Sequence, residues 1–169
     1  MKTVILWTSL TAFFIGLLQT AVLSHIYFLS ITPNFILLLI LYTAVSNGSL
    51  TGLICGFISG LLLDFLSAAP IGLHSFIFTL LGYTVGKLYG RYNLNKIIFP
   101  CLLTLVCFLC NVFILFLLRL VFGQNIHTYK ILTIDFLIRL AVNIGFAPIM
   151  FFFLDLFPSV FKVKEHSVL

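Results

Sequence analysis

Residues 48–74 read GSLTGLICGFISGLLLDFLSAAPIGLH, with glycine at Gly48, Gly52, Gly56 and Gly60 and a carboxylate, Asp64, at the next step of four. On a helix, positions four apart lie almost above one another, drifting by about 40° per step, so these five residues form one slowly winding stripe. Glycine costs a soluble helix about 0.8–1.0 kcal/mol relative to alanine. A row of it needs a reason, and close helix approach in lipid, where small residues let backbones meet, supplies one. Two occupants suit such a groove: another helix of this chain, or a docking partner.

The whole chain reads as membrane protein. Of 169 residues, 62% are hydrophobic and 8% charged, with mean hydropathy +1.27. Nine basic and four acidic residues are too few to solvate the surface of a soluble fold of this length. The apolar runs are long and continuous rather than alternating over about ten residues, which favours an all-α bundle over a transmembrane barrel. At about 20 apolar residues per crossing, residues 1–169 form a single polytopic domain of about six spans, expected near 4–24, 33–45, 49–66, 73–88, 97–122 and 131–157. The second is short, which suits a thin or protein-covered place.

Connectors support this division. Pro33-Asn34 precedes the second span, where proline suits a first helical turn. Ser46-Asn47-Gly48-Ser49 is a turn by composition, and Ser67-Ala68-Ala69-Pro70-Ile71-Gly72 leads into the fourth span at His74. With both termini cytoplasmic, one side carries Lys2, Lys87, Arg91, Lys96, Lys162 and Lys164, and the other only Lys130. That asymmetry is the positive-inside pattern and supports an even number of spans. The net charge of +5 therefore reads as a topology signal, and nucleic-acid binding has no support.

Two further rows of small residues accompany the first: Gly82, Gly86 and Gly90 on span four, and Thr8, Ala12, Gly16 and Thr20 on span one. Ionisable groups within spans are expensive unless paired or wet, and so are functional candidates. Asp64, Arg119, Asp135 and Arg139 fall at a similar outer level and form a candidate charge cluster, for packing or for partner recognition. Asp135 and Arg139 are four apart on one face. Asp155, at the other end of span six, has Lys162 or the basic connector as candidate partners. Cys107 and Cys110 have redox or zinc-ligand spacing, but no second pair completes a site, and with Cys55 and Cys101 they read as small apolar packing residues. His25, His74 and His127 share a predicted side without ligand spacing. No nucleophile, metal set or phosphate-binding loop can be assembled, so the expectation is a non-enzymatic protein without cofactor.

In their order, these features resemble the MreD family of rod-shape-determining membrane proteins. The resemblance rests on Pro33-Asn34 before an apolar run, on GLICGFISGLLLDFLSAAPIGLHSF from Gly52 to Phe76, and on Gly82-Tyr83 and Gly86. The glycine row into Leu-Leu-Asp64, then Ser67-x-x-Pro70-x-Gly72-Leu-His74, is its most distinctive part. Two departures stand out: the family usually has Pro-Asp in place of Pro33-Asn34, and commonly has basic residues where this chain has SNGS. The resemblance implies a scaffold in the bacterial cytoplasmic membrane that binds the single span of MreC. Through MreC it would work with a penicillin-binding transpeptidase, RodA and MreB in peptidoglycan synthesis; a homodimer is also open to it. The family is similar in architecture to substrate-binding subunits of energy-coupling-factor vitamin transporters, which is the alternative reading.

Overall fold

The computed structural model is all-helical and describes residues 1–21, 33–67, 70–90, 96–122 and 134–162. Among these are seven helices: α1 (Lys2–Ala21), α2 (Phe35–Asn47), α3 (Ser49–Ser67), α4 (Leu73–Gly86), α5 (Ile98–Phe122), α6 (Ile134–Asp155) and α7 (Pro158–Phe161). By length and composition α1, α3, α5 and α6 can cross a membrane, while α2 and α4 are shorter apolar helices. Helices α1 to α6 match the expected spans closely. Beyond the last expected span, which α6 fills to Asp155, a short α7 begins at Pro158, whose fixed φ suits a first turn. His25, Arg91, His127, Lys130 and Lys164 lie outside the described residues.

Helix α2 occupies the centre. Every residue from Ile36 to Val45 is buried, and a helix that is apolar all round belongs in an interior. At 1.5 Å per residue it rises only about 20 Å, short of the roughly 30 Å hydrocarbon core. Neighbouring helices rather than lipid surround it, so bilayer thickness does not set its length.

Helices α3 and α4 are antiparallel and in backbone contact. A methyl group at Gly52 would strike the Gly82 carbonyl, one at Gly56 the Phe78 carbonyl, and one at Gly60 would come within 2.5 Å of Ser75 Cα. From the facing side, Gly82 meets Gly52, and Gly86 meets Ser49 and Gly48. Each four-residue step up α3 is matched by a step of three or four residues down α4. The two glycine rows therefore serve each other, and the groove holds this chain's own helix. Gly48 and Gly90 are needed for another reason: their φ angles are +87° and +82°, and a Cβ on either would meet nothing within 4 Å, although the Gly48 backbone touches Gly86. Both are turn glycines, and Gly48 closes α2 by donating its N–H to the Ala44 carbonyl.

The row on α1 is also internal. Thr8 and Ala12 are fully buried, and a methyl at Gly16 would come within 2.7 Å of Leu66 Cδ1 on α3. Thr20 instead turns its hydroxyl back to the Gly16 carbonyl at 2.8 Å. Helix α5 is different: it packs through bulky side chains, mainly on α6, and its outward face, including Leu102, Leu109, Phe113 and Leu120, is exposed.

Candidate functional site

Helix α4 starts without a capping side chain, because its N-cap residue is Gly72, held at φ +98° in the left-handed region that glycine reaches without strain. A helix start leaves N–H groups without intrahelical acceptors, and an N-cap side chain normally takes those of the second and third helical residues. Here Asp64 does so from α3. Its Oδ1 accepts the His74 N–H at 2.9 Å, and its Oδ2 accepts those of Gly72 at 2.9 Å and Ser75 at 3.3 Å. His74 adds a side-chain bond, Nδ1 to Asp64 Oδ1 at 2.8 Å. An ionised carboxylate only accepts, so Nδ1 carries the hydrogen.

Asp64 is 1% exposed, and the site compensates that burial. The carboxylate sits at the positive end of the α4 dipole and receives several hydrogen bonds, which are the conditions under which a buried charge is tolerated. The family-like sequence thereby has a mechanical meaning. The glycine row brings α3 against α4, Asp64 ends the row at the α4 start, Gly72 turns the chain, and His74 closes over the carboxylate. Pro70 contributes the carbonyl that accepts the Leu73 N–H at 3.1 Å. Ser67 turns its hydroxyl back onto its own helix, at the Leu63 carbonyl.

This geometry takes Asp64 out of the expected four-residue charge cluster. Asp64 is engaged by α4 and His74, not by an arginine. Contacts between Phe108 and Phe136, with ring centroids 5.9 Å apart, and between Cys101 Sγ and the Ile144 carbonyl at 3.7 Å set the register of α5 on α6. Arg119 then lies about 16 Å further along α5 than the Phe136 contact, at 1.5 Å per residue. Asp135 is exposed beside Phe136, and Arg139 is half-buried one turn on.

A second polar tie at the same end holds the start of α2. Asn34 caps that helix, its side chain accepting from the Leu37 N–H at 3.1 Å, while its own N–H donates to Asn143 Oδ1 on α6 at 2.9 Å. Asn143 Nδ2 donates to the Arg139 carbonyl at 2.8 Å. Gln19 of α1 donates to the Pro33 carbonyl at 2.6 Å. Pro33 thus precedes the cap rather than lying in the first turn, and Pro33-Asn34 is where three helices are tied. Gln19 and Asn143 went unnoticed in the sequence, although a lone amide inside an apolar run is a signal of this kind.

At the opposite end Asp155 accepts the Tyr42 hydroxyl at 2.8 Å and pairs with Lys162 at 2.8 Å. Tyr42 was not anticipated. Its ring packs edge-on against Phe151, centroids 5.4 Å apart, and Asn47 donates to the Phe161 carbonyl at 2.7 Å. These contacts fix α7 beneath α2.

The polar groups thus join helix ends to helix ends. Among the described residues no three histidine, cysteine or acidic side chains come together as a metal site, and Cys107 is buried while Cys110 is exposed. The family model for the rod shape-determining protein MreD matches residues 1–157, which includes every tie just described except those to α7. The chain belongs to the MreD family. MreD membership implies a role in determining rod cell shape, in a family not known as enzymatic, and favours the first of the two functional readings. This MreD chain is a multi-pass membrane protein with four long candidate spans. No curated protein and no solved structure gives a significant match.

Proposed function

We propose that the protein is a six-crossing scaffold of the cell-elongation machinery, with both termini cytoplasmic, that binds the single span of MreC and helps to position peptidoglycan synthesis. The transpeptidase, RodA and MreB are reached through that contact. The supporting observation is the MreD family match across residues 1–157. The rows on α3 and α4 are filled by each other, so a partner helix has the outward faces to use: Leu6, Leu10, Phe13 and Leu17 on α1, or Leu102, Leu109, Phe113 and Leu120 on α5. Six crossings with the basic connectors on one side follow the positive-inside pattern.

Photo-crosslinkers placed singly at Phe13, Leu109 and Ile149 in living cells test the proposal. One exterior face is expected to capture MreC, and depletion is expected to round the cells. Rod-shaped growth after depletion, or absence of MreC adducts from every outward face, would sink it. Reporter fusions at the two termini check the orientation independently.

A further inference from the structure

Helices α4 and α5 both turn apolar side chains outward, but over very different lengths. On α5 the exposed face runs from Ile98 to Leu120, about 33 Å at 1.5 Å per residue. With a modest tilt that matches the roughly 30 Å hydrocarbon core. On α4 the exposed face holds Phe76 and Leu80, and both of its ends are marked by groups that hydrocarbon does not admit.

One end is the turn before α4. Pro70 and Ile71 are exposed in irregular backbone, and lipid-exposed irregular backbone does not occur within the hydrocarbon region. The other end is Lys87, directly after the helix. Its stem folds back so that the ammonium lies over the Tyr83 ring, 4.7 Å from the centroid, and both side chains are exposed. An ammonium is expensive in hydrocarbon, so headgroups reach the level of Tyr83, a ring suited to that depth. From Ile71 to Tyr83 is about 18 Å at the helical rise, well short of the core thickness.

The helix pair cannot slide or tilt to make up the difference. Tilt only shortens the projection, and the glycine rows and the Asp64 cap lock α4 to α3. The exposed apolar residues of α3 run from Leu50 to Phe65, about 22 Å, so this helix is short on its outer face as well. A bilayer answers a short apolar element by thinning, by snorkelling of flanking groups or by oligomerisation of the protein. Snorkelling would carry the Lys87 ammonium away from Tyr83, but it is folded back over the ring. A second copy docked here would meet Lys87 with no exposed carboxylate, because Asp64, the acid on this pair, is buried.

We infer that the protein thins the bilayer beside α3 and α4, drawing headgroups towards the midplane along that side and leaving full thickness beside α5. Thinning requires α4 to cross the membrane, as in the six-crossing scaffold, and does not involve MreC. A thinned flank favours neighbours with short apolar spans, since each then avoids the cost of mismatch.

Trp7 is the single tryptophan, so in a Trp7→Phe chain one introduced tryptophan reports its own depth. The readout is quenching by phosphatidylcholines brominated either near the headgroup or deep in the acyl chain. In dioleoyl bilayers containing the purified full chain, Phe76→Trp is expected about 8 Å below the nearer headgroup boundary and Leu109→Trp, midway along α5, about 16 Å. Shallow bromines should therefore quench the first more strongly, and deep bromines the second. Lys87→Leu removes the ammonium at Tyr83 and should shift quenching of Leu80→Trp towards the deep bromines, with Leu109→Trp unchanged. The tryptophan positions are all exposed, so these changes leave the helix contacts in place. Stronger quenching by deep bromines at both Phe76 and Leu109 overturns the inference. So does an absence of quenching at Phe76 and Leu80, which would place a second copy over α4.

Discussion

Helices α3 and α4 on one side, and α5 and α6 on the other, are both antiparallel apolar pairs, yet they are held by different means. In the first pair the backbones touch through Gly52, Gly56, Gly60, Gly82 and Gly86, and a buried carboxylate on one helix caps the other. In the second, side chains such as Phe108 and Phe136 keep the helices apart, and α5 leaves one outward face exposed. Backbone contact has no slack, because an added methyl meets a carbonyl that cannot move without moving its helix. Side-chain contact can yield by changing rotamers. The first pair should therefore be intolerant of substitution, and the second tolerant.

The severest challenge to this contrast is Gly56→Leu or Gly82→Leu. Each should destabilise by more than about 4 kcal/mol, the range reserved for gross overpacking, and size-exclusion chromatography in mild detergent should show little monodisperse protein. Next comes Asp64→Ala, which strands three backbone N–H groups at the start of α4. With each buried orphan worth about 1–3 kcal/mol, a total near 3 kcal/mol is expected in thermal unfolding, and Asp64→Asn should recover part of it.

Asn143→Ala, which cuts the tie to Asn34, should cost about 1 kcal/mol, since interhelical hydrogen bonds in membranes are modest. On α5, Leu109→Ala and Phe113→Ala should stay within about 0.5 kcal/mol, as surface changes usually do. Either α5 variant unfolding as readily as Gly56→Leu would erase the distinction between the pairs. If either alters MreC capture while leaving stability unchanged, that outward face becomes the partner surface.

How much of this was legible in the sequence differs by residue. The positions of the six apolar helices were, because continuous apolar runs and the polar connectors between them mark where helices start and stop. Gly52, Gly56 and Gly60 could be seen as a groove, but spacing on one helix does not say which helix enters it. Gly48 shares the same interval and yet serves a turn, because the α2 helix ends there and its φ is positive. Asp64 looked like half of an ion pair; its real partners are backbone N–H groups, which every residue carries and no residue letter announces. Gln19, Tyr42 and Asn143 each reach a partner outside their own helix, and spacing within one helix cannot register such pairs.

The amino-acid sequence by itself determined that this is an apolar helical membrane protein, where its helices run, and which family motif it carries, since those follow from composition, local periodicity and the order of neighbouring residues. Tertiary structure alone decided that the α3 and α4 rows face each other, and that Asp64 caps α4 instead of meeting Arg119. Those outcomes depend on which helix lies beside which, and that is set by packing all the helices at once.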